Sequence, residues 1–139
     1  MKNSERIHSS LRLLDQYMDE LTRIFPDSDD EYYESLIIRR SSERQMQIII
    51  EQVTDICALL YRHACLGIAG DDTKILDSLS ETCLSPEICE KIRRMKGFRN
   101  VLVHGYAKLD NSLVYFNILS GKDDISQFIE EVAQYIERQ

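Results

Sequence analysis

From Tyr32 to about Leu66 the chain contains neither glycine nor proline, and this run constrains the fold more than any other feature. Within it Met46, Ile49, Ile50, Val53, Ile56, Cys57 and Leu60 recur at helical spacing, the pattern of a helix with one apolar face. At 1.5 Å per residue, a continuous helix here would reach roughly 50 Å. That is long for a single domain, and the serine pair Ser41-Ser42 marks the place for a kink. The whole chain holds only five glycines and two prolines, too little punctuation for a many-turned sandwich or barrel.

The flanking segments read the same way. Ile7, Leu11, Leu14, Met18, Leu21 and Phe25 follow one another at steps of three and four, giving an amphipathic helix that Pro26 ends. An acidic stretch from Asp27 to Glu31 then makes a loop and a helix start. Gly67 and Gly70 close the long helix, and Asp71-Asp72 caps a short one through Ile75, Leu76 and Leu79. Ser85-Pro86-Glu87 opens another: serine as cap, proline in the first turn, and an acid beside the positive helix end. That helix runs to about Val103, with Gly105 as its stop. Leu109 to Leu119 reads as a short helix, because a lone strand would have no partner. Asp123-Asp124 then caps a last helix with an Ile125, Phe128, Ile129, Val132 and Ile136 stripe. The expectation is an all-α bundle of five or six helices forming one domain over residues 1–139.

Charge narrows the function classes. Seventeen lysines and arginines against 24 acids give a net charge of −7, which argues against a protein held on nucleic acid or anionic membrane by its overall charge. No apolar run approaches the ~20 residues of a membrane span, and MKNSERIHSS has no apolar core for a secretory leader. A cytoplasmic protein is therefore expected. Cys57, Cys65, Cys83 and Cys89 show no C-x-x-C spacing, so they are expected as reduced, buried thiols. A zinc site would need His63 beside Cys65 plus two distant ligands, and no metal or other cofactor is expected.

One segment departs from the rest. Lys91, Arg93, Arg94, Lys96 and Arg99 place five of the 17 positive charges in nine residues without an acid, leaving twelve against 24 elsewhere. Such a run is ordinarily a solvated helix face. Here, at 100° per residue, Ile88, Ile92, Met95 and Leu102 fall in one stripe, and Arg99 falls in it too. A guanidinium in an apolar seam must be paired, with Glu51 or Asp55 as candidates, or must face a cleft that receives an anion. His104 lies about 140° around the helix from Arg99 but only about 40° from Asn100. Arg99 and His104 therefore converge only if the helix unwinds before Gly105 or a second subunit intervenes.

Arg99-Asn100-Val101-Leu102-Val103-His104-Gly105-Tyr106 is a complete R-x4-H-x-Y motif. With the preceding Phe98, and with Ser42 to Glu51 followed by Asp55-Ile56, the chain resembles the HepT toxins, ribonucleases of the HEPN superfamily encoded beside MntA-type nucleotidyltransferase antitoxins. The resemblance implies a HEPN-like homodimer with both motifs lining a cleft at the two-fold axis. It implies a metal-independent endoribonuclease acting on tRNA or mRNA, with Arg99 and His104 catalytic and Asn100 assisting. Lys91, Arg93, Arg94 and Lys96 would guide the RNA backbone. It further implies that the antitoxin silences the toxin by transferring AMP to Tyr106. Chemistry agrees with these roles: a histidine moves protons near neutral pH, and a forked guanidinium suits a phosphoryl group gaining charge. The chain lacks both a nucleotidyltransferase's carboxylate signature and a G-x-x-x-x-G-K-[ST] loop, so it reads as the target of modification. The rival reading is a non-catalytic HEPN-like helical module that binds a nucleotidyltransferase or a nucleotide. A phosphodiesterase of small nucleotides is a third, without a phosphate-cradling loop to support it.

Overall fold

The computed structural model describes residues 2–64, 66–68, 70–105 and 109–138, and the described residues form six α-helices. These are α1 (Lys2–Ile24), α2 (Asp29–Glu34), α3 (Leu36–His63), α4 (Asp72–Thr82), α5 (Pro86–His104) and α6 (Asn111–Glu137). Every helix after the first begins on a side-chain cap: Ser28, Ser35, Asp71, Ser85 and Asp110 each accept a bond from a first-turn backbone N–H. These bonds satisfy donors that a helix start leaves without an internal partner. The expected roles of Asp71, Ser85 and Pro86 are realised, and Gly105 is the C-cap of α5.

Helix α3 is the axis of the bundle and packs against each of the other five. Its Met46, Ile49, Ile50, Val53, Ile56 and Leu60 are fully buried. They meet Ile7, Leu14 and Leu21 from α1, Ile88 and Ile92 from α5, and Ile118, Ile125, Phe128 and Val132 from α6 in one core. Cys57, Cys83 and Cys89 are buried free thiols, as expected; Cys65 lies outside the described residues. Burial pushes the Cys57 thiol up to about 12 and that of Cys89 to about 11, so both stay protonated and pack as small apolar groups.

Two expectations need correction. The long helix breaks at Ser35, whose extended backbone is at once the end of α2 and the cap of α3, and it passes through Ser41-Ser42 without a break. The break turns Tyr32 inward: it is fully buried and its ring lies 5.8 Å from Phe25 and 5.4 Å from Tyr115. Burying that aromatic cluster rewards the interruption of the helix. Second, α6 is one helix of 27 residues, whereas two were expected, the second capped by Asp123-Asp124. Asp110 is its cap, and Asp124 sits inside it, paired with Lys91 at 3.3 Å. Gly121 is buried where an added Cβ would lie 2.6 Å from the Met46 methyl. It lets α6 approach α3 without stopping the helix.

Candidate active site

Helix α5 positions the motif. Ile88, Cys89, Ile92, Met95 and Leu102 are its buried residues, and Arg99 shares their side of the helix. The apolar side holds α5 down, and the arginine leans out at the seam with α3. There its Nη2 donates to Glu51 Oε1 at 2.8 Å, with 36% of the arginine side chain and 42% of the glutamate exposed. Arg99 Nε is buried and has no hydrogen-bond partner among the described residues. Of the two acids foreseen for this arginine, Glu51 is the one bonded. The bond from Arg99 holds the Glu51 carboxyl below the usual carboxylate range against the opposing effect of burial, helped by Gln47 and the charge of Arg44.

Beside the pair opens a cleft of about 330 Å³ lined by Glu51, Thr54, Asp55, Asp72, Lys96, Arg99 and Asn100. Arg99 and Asn100 therefore line one cleft. His104 does not join them. Helix α5 continues through His104, which is exposed on its last turn. With the helix intact, the imidazole lies about 140° around from Arg99 and roughly 7.5 Å along the axis. Unwinding before Gly105, one of the two routes to convergence, does not occur. Gly105 closes the helix by donating its N–H to Val101 O at 2.8 Å, and a Cβ there would lie 2.6 Å from that carbonyl oxygen. Tyr106, the expected AMP acceptor, lies outside the described residues.

The basic run is less free than its composition implies. Lys91 pairs with Asp124 and donates to Gln127 at 3.2 Å. Arg93 pairs with Asp77 and, at 3.6 Å, with Glu90. Lys96 holds Asp72 at 2.7 Å. Arg94 is exposed and makes no ion pair among the described residues. Three of the four cations expected to guide RNA thus already have carboxylate partners, supplied by α4, α5 and α6.

Further polar residues, not singled out from the sequence except for Glu51, line the same seam. Arg40, Arg44, Gln47 and Glu51 follow at steps of four, three and four along α3 and so share one stripe. The spacing was visible beforehand, but nothing local showed that this stripe would border α5. Arg40, Glu43, Arg44, Gln47, Leu102 and Leu109 line a groove of about 340 Å³ there. Among the described residues no group of three or more histidines, cysteines and acids is placed to hold a metal ion. No helix of the described residues is long and apolar enough to cross a membrane.

A family model described as Ribonuclease HepT-like matches residues 14–132. The tRNA nuclease HepT of Aphanizomenon flos-aquae is 25% identical over 131 residues, which are 94% of this chain and 89% of that protein. Among solved structures, a tri-AMPylated Shewanella oneidensis HEPN toxin in complex with MNT antitoxin is similar at a TM-score of 0.82 and 19% identity. That match covers 92% of this chain and 96% of the toxin. YutE from Bacillus subtilis, a cytosolic protein of unknown function, is similar at a TM-score of 0.77 and 18% identity, over 96% of this chain and 90% of its own.

Proposed function

This chain belongs to the Ribonuclease HepT-like family, and from that premise we propose that it is the toxin of a toxin–antitoxin pair, a metal-independent endoribonuclease acting on tRNA or mRNA. The observation that carries the reading is the placement of a complete R-x4-H motif at the open end of α5. Its arginine is held at the edge of a cleft by one acid, and its histidine is exposed five residues further on.

In this reading Arg99 binds the scissile phosphate through the edge of its fork not bonded to Glu51, and neutralises charge that builds on the phosphoryl oxygens. His104 removes the 2′-hydroxyl proton or returns one to the departing oxygen. Asn100, on the cleft and on the His104 face, supports the substrate by hydrogen bonding. Because one chain holds Arg99 and His104 apart, the working site is shared in a homodimer, with the histidine of one subunit serving the arginine of the other. Arg94 guides RNA with an unpaired charge, whereas Lys91, Arg93 and Lys96 exchange carboxylates for phosphates as it docks. AMP transfer to Tyr106 by an MntA-type nucleotidyltransferase antitoxin brings bulk and negative charge to the mouth of the site and turns RNA away.

Arg99→Ala and His104→Ala are each expected to abolish RNA cleavage and growth arrest while leaving the helical content intact, and cleavage is expected to persist in EDTA. A folded Arg99→Ala chain that still arrests growth would falsify the mechanism. A dimer that binds a nucleotidyltransferase yet leaves tRNA and mRNA intact supports the rival, a non-catalytic binding module. Intact-mass analysis after incubation with antitoxin and ATP is expected to show added AMP, and Tyr106→Phe to remove it.

A further inference from the structure

The seam between α3 and α5 has two unlike ends on either side of the Arg99–Glu51 pair. On one side the cleft is lined by Asp55 and Asp72, with Lys96 already held by Asp72 at 2.7 Å. On the other side the groove is lined by Arg40 and Arg44, with Glu43 as its acid, Gln47 between the arginines and Glu51, and Leu102 and Leu109 as apolar lining. Arg44 is exposed and makes no ion pair among the described residues. Arg40 is 56% exposed and holds Glu43 at 3.1 Å. The two arginines lie one turn apart, about 6 Å along α3. The same stripe of α3 continues to Glu51, where Arg99 waits, and Gln47 and Arg44 both act on the Glu51 carboxylate.

A polyanion held at Arg99 finds Asp55 and a lysine already paired with Asp72 on one side of this seam, and the exposed guanidinium groups of Arg40 and Arg44 on the other. We propose that the Arg40–Arg44 groove of α3 is a binding site for single-stranded RNA backbone, holding the strand on one side of the phosphate bound at Arg99. Arg44 takes a phosphate directly, Arg40 takes the next by releasing Glu43, and Gln47 bonds a phosphate or ribose oxygen. The apolar lining at Leu102 and Leu109 offers contact to sugar and base without a hydrogen-bonding code, so the groove positions RNA and does not read sequence. The site rests on the ribonuclease reading above and adds to it which way the substrate strand leaves the cleft.

The test measures fluorescence anisotropy of a short labelled single-stranded RNA on the full chain carrying His104→Ala, which prevents cleavage, across a salt series. Arg40→Gln with Arg44→Gln is expected to weaken binding roughly ten-fold and to flatten the log–log salt dependence by about 1.4, the slope of two lost phosphate contacts on a single strand. Arg44→Lys is expected to retain most of the slope. The charge-matched pair Arg12→Gln with Arg23→Gln on α1 is expected to change neither quantity. Equal affinity and slope for the α3 and α1 pairs overturn the α3 site. If the wild-type chain cleaves RNA while that result holds, the groove alone is refuted. If the wild-type chain neither binds nor cleaves RNA, the enzyme reading falls with it.

Discussion

Arg99 spends one nitrogen on Glu51 and keeps its buried Nε without a partner among the described residues. In the proposed mechanism an arginine anchored this way is oriented before the phosphate arrives. Both members of the pair are more than a third exposed, so water screens it and its loss costs stability at most about 1 kcal/mol. Glu51→Gln is therefore expected to leave the melting temperature nearly unchanged while lowering kcat/KM, because Arg99 loses its anchor; a large drop in thermal stability would mean that the pair is chiefly structural. The pH dependence has a definite sign. The folded-state value of the Glu51 carboxyl is lowered, so the contact is complete above the ordinary glutamate range and is lost as pH falls through that lowered value. Glu43 behaves oppositely, since burial raises its carboxyl, and it gives up its charge on Arg40 at higher pH than an exposed glutamate would. Acid titration followed by carboxylate NMR is expected to show Glu43 protonating before Glu51, and the reverse order contradicts both environments.

At the scale of elements, the starts of α4 and α5 were legible because Asp71 and the Ser85-Pro86 pair each write theirs within one turn. Ser85 shows how such a local signal is reused. Its Oγ accepts from Ile88 N at 3.1 Å and donates to Glu131 Oε2 at 2.9 Å, while its own N–H donates to Glu131 Oε1 at 2.7 Å. Ser85→Ala thus removes a cap and a tie to α6, and is expected to cost about 1–2 kcal/mol in chemical denaturation; a neutral substitution would show that the cap is dispensable. Leu60→Ala, which opens a hole in the fully buried face of α3, is expected to cost about 2–5 kcal/mol. The Ser35 break and the unbroken α6 were not legible. Ser35 looks no different from Ser41 or Ser42 until Phe25 and Tyr115 are present to receive Tyr32. Asp123 and Asp124 look like a cap until Asp110 has started the helix earlier and Gly121 has found room against Met46. In each case an alternative of comparable local merit was decided by a contact distant in sequence.

For the whole molecule, α5 stays helical through His104, so Arg99 and His104 of one chain face different directions, and the mechanism proposed above places the site between two subunits. Co-expressing Arg99→Ala with His104→Ala is expected to restore part of the RNA cleavage that neither shows alone, because a mixed dimer rebuilds one intact arginine–histidine pair. Absence of rescue in a demonstrated mixed dimer would refute the shared site. The net charge of −7 also takes a different form in three dimensions, since most of the basic run is spent on neighbouring acids and open guanidinium groups remain on α3 and at Arg94. The sequence by itself determined the all-α class, the caps of α4 and α5 and the apolar stripes that build the core, because periodicity and capping act within a turn or two of helix. Tertiary structure alone decided which acid holds which cation, where the long helix breaks and which faces of α3 and α5 form a common seam. Those outcomes join residues such as Asp77 with Arg93 and Glu51 with Arg99, 16 and 48 positions apart, and charge at such separations acts only after packing has brought the helices together.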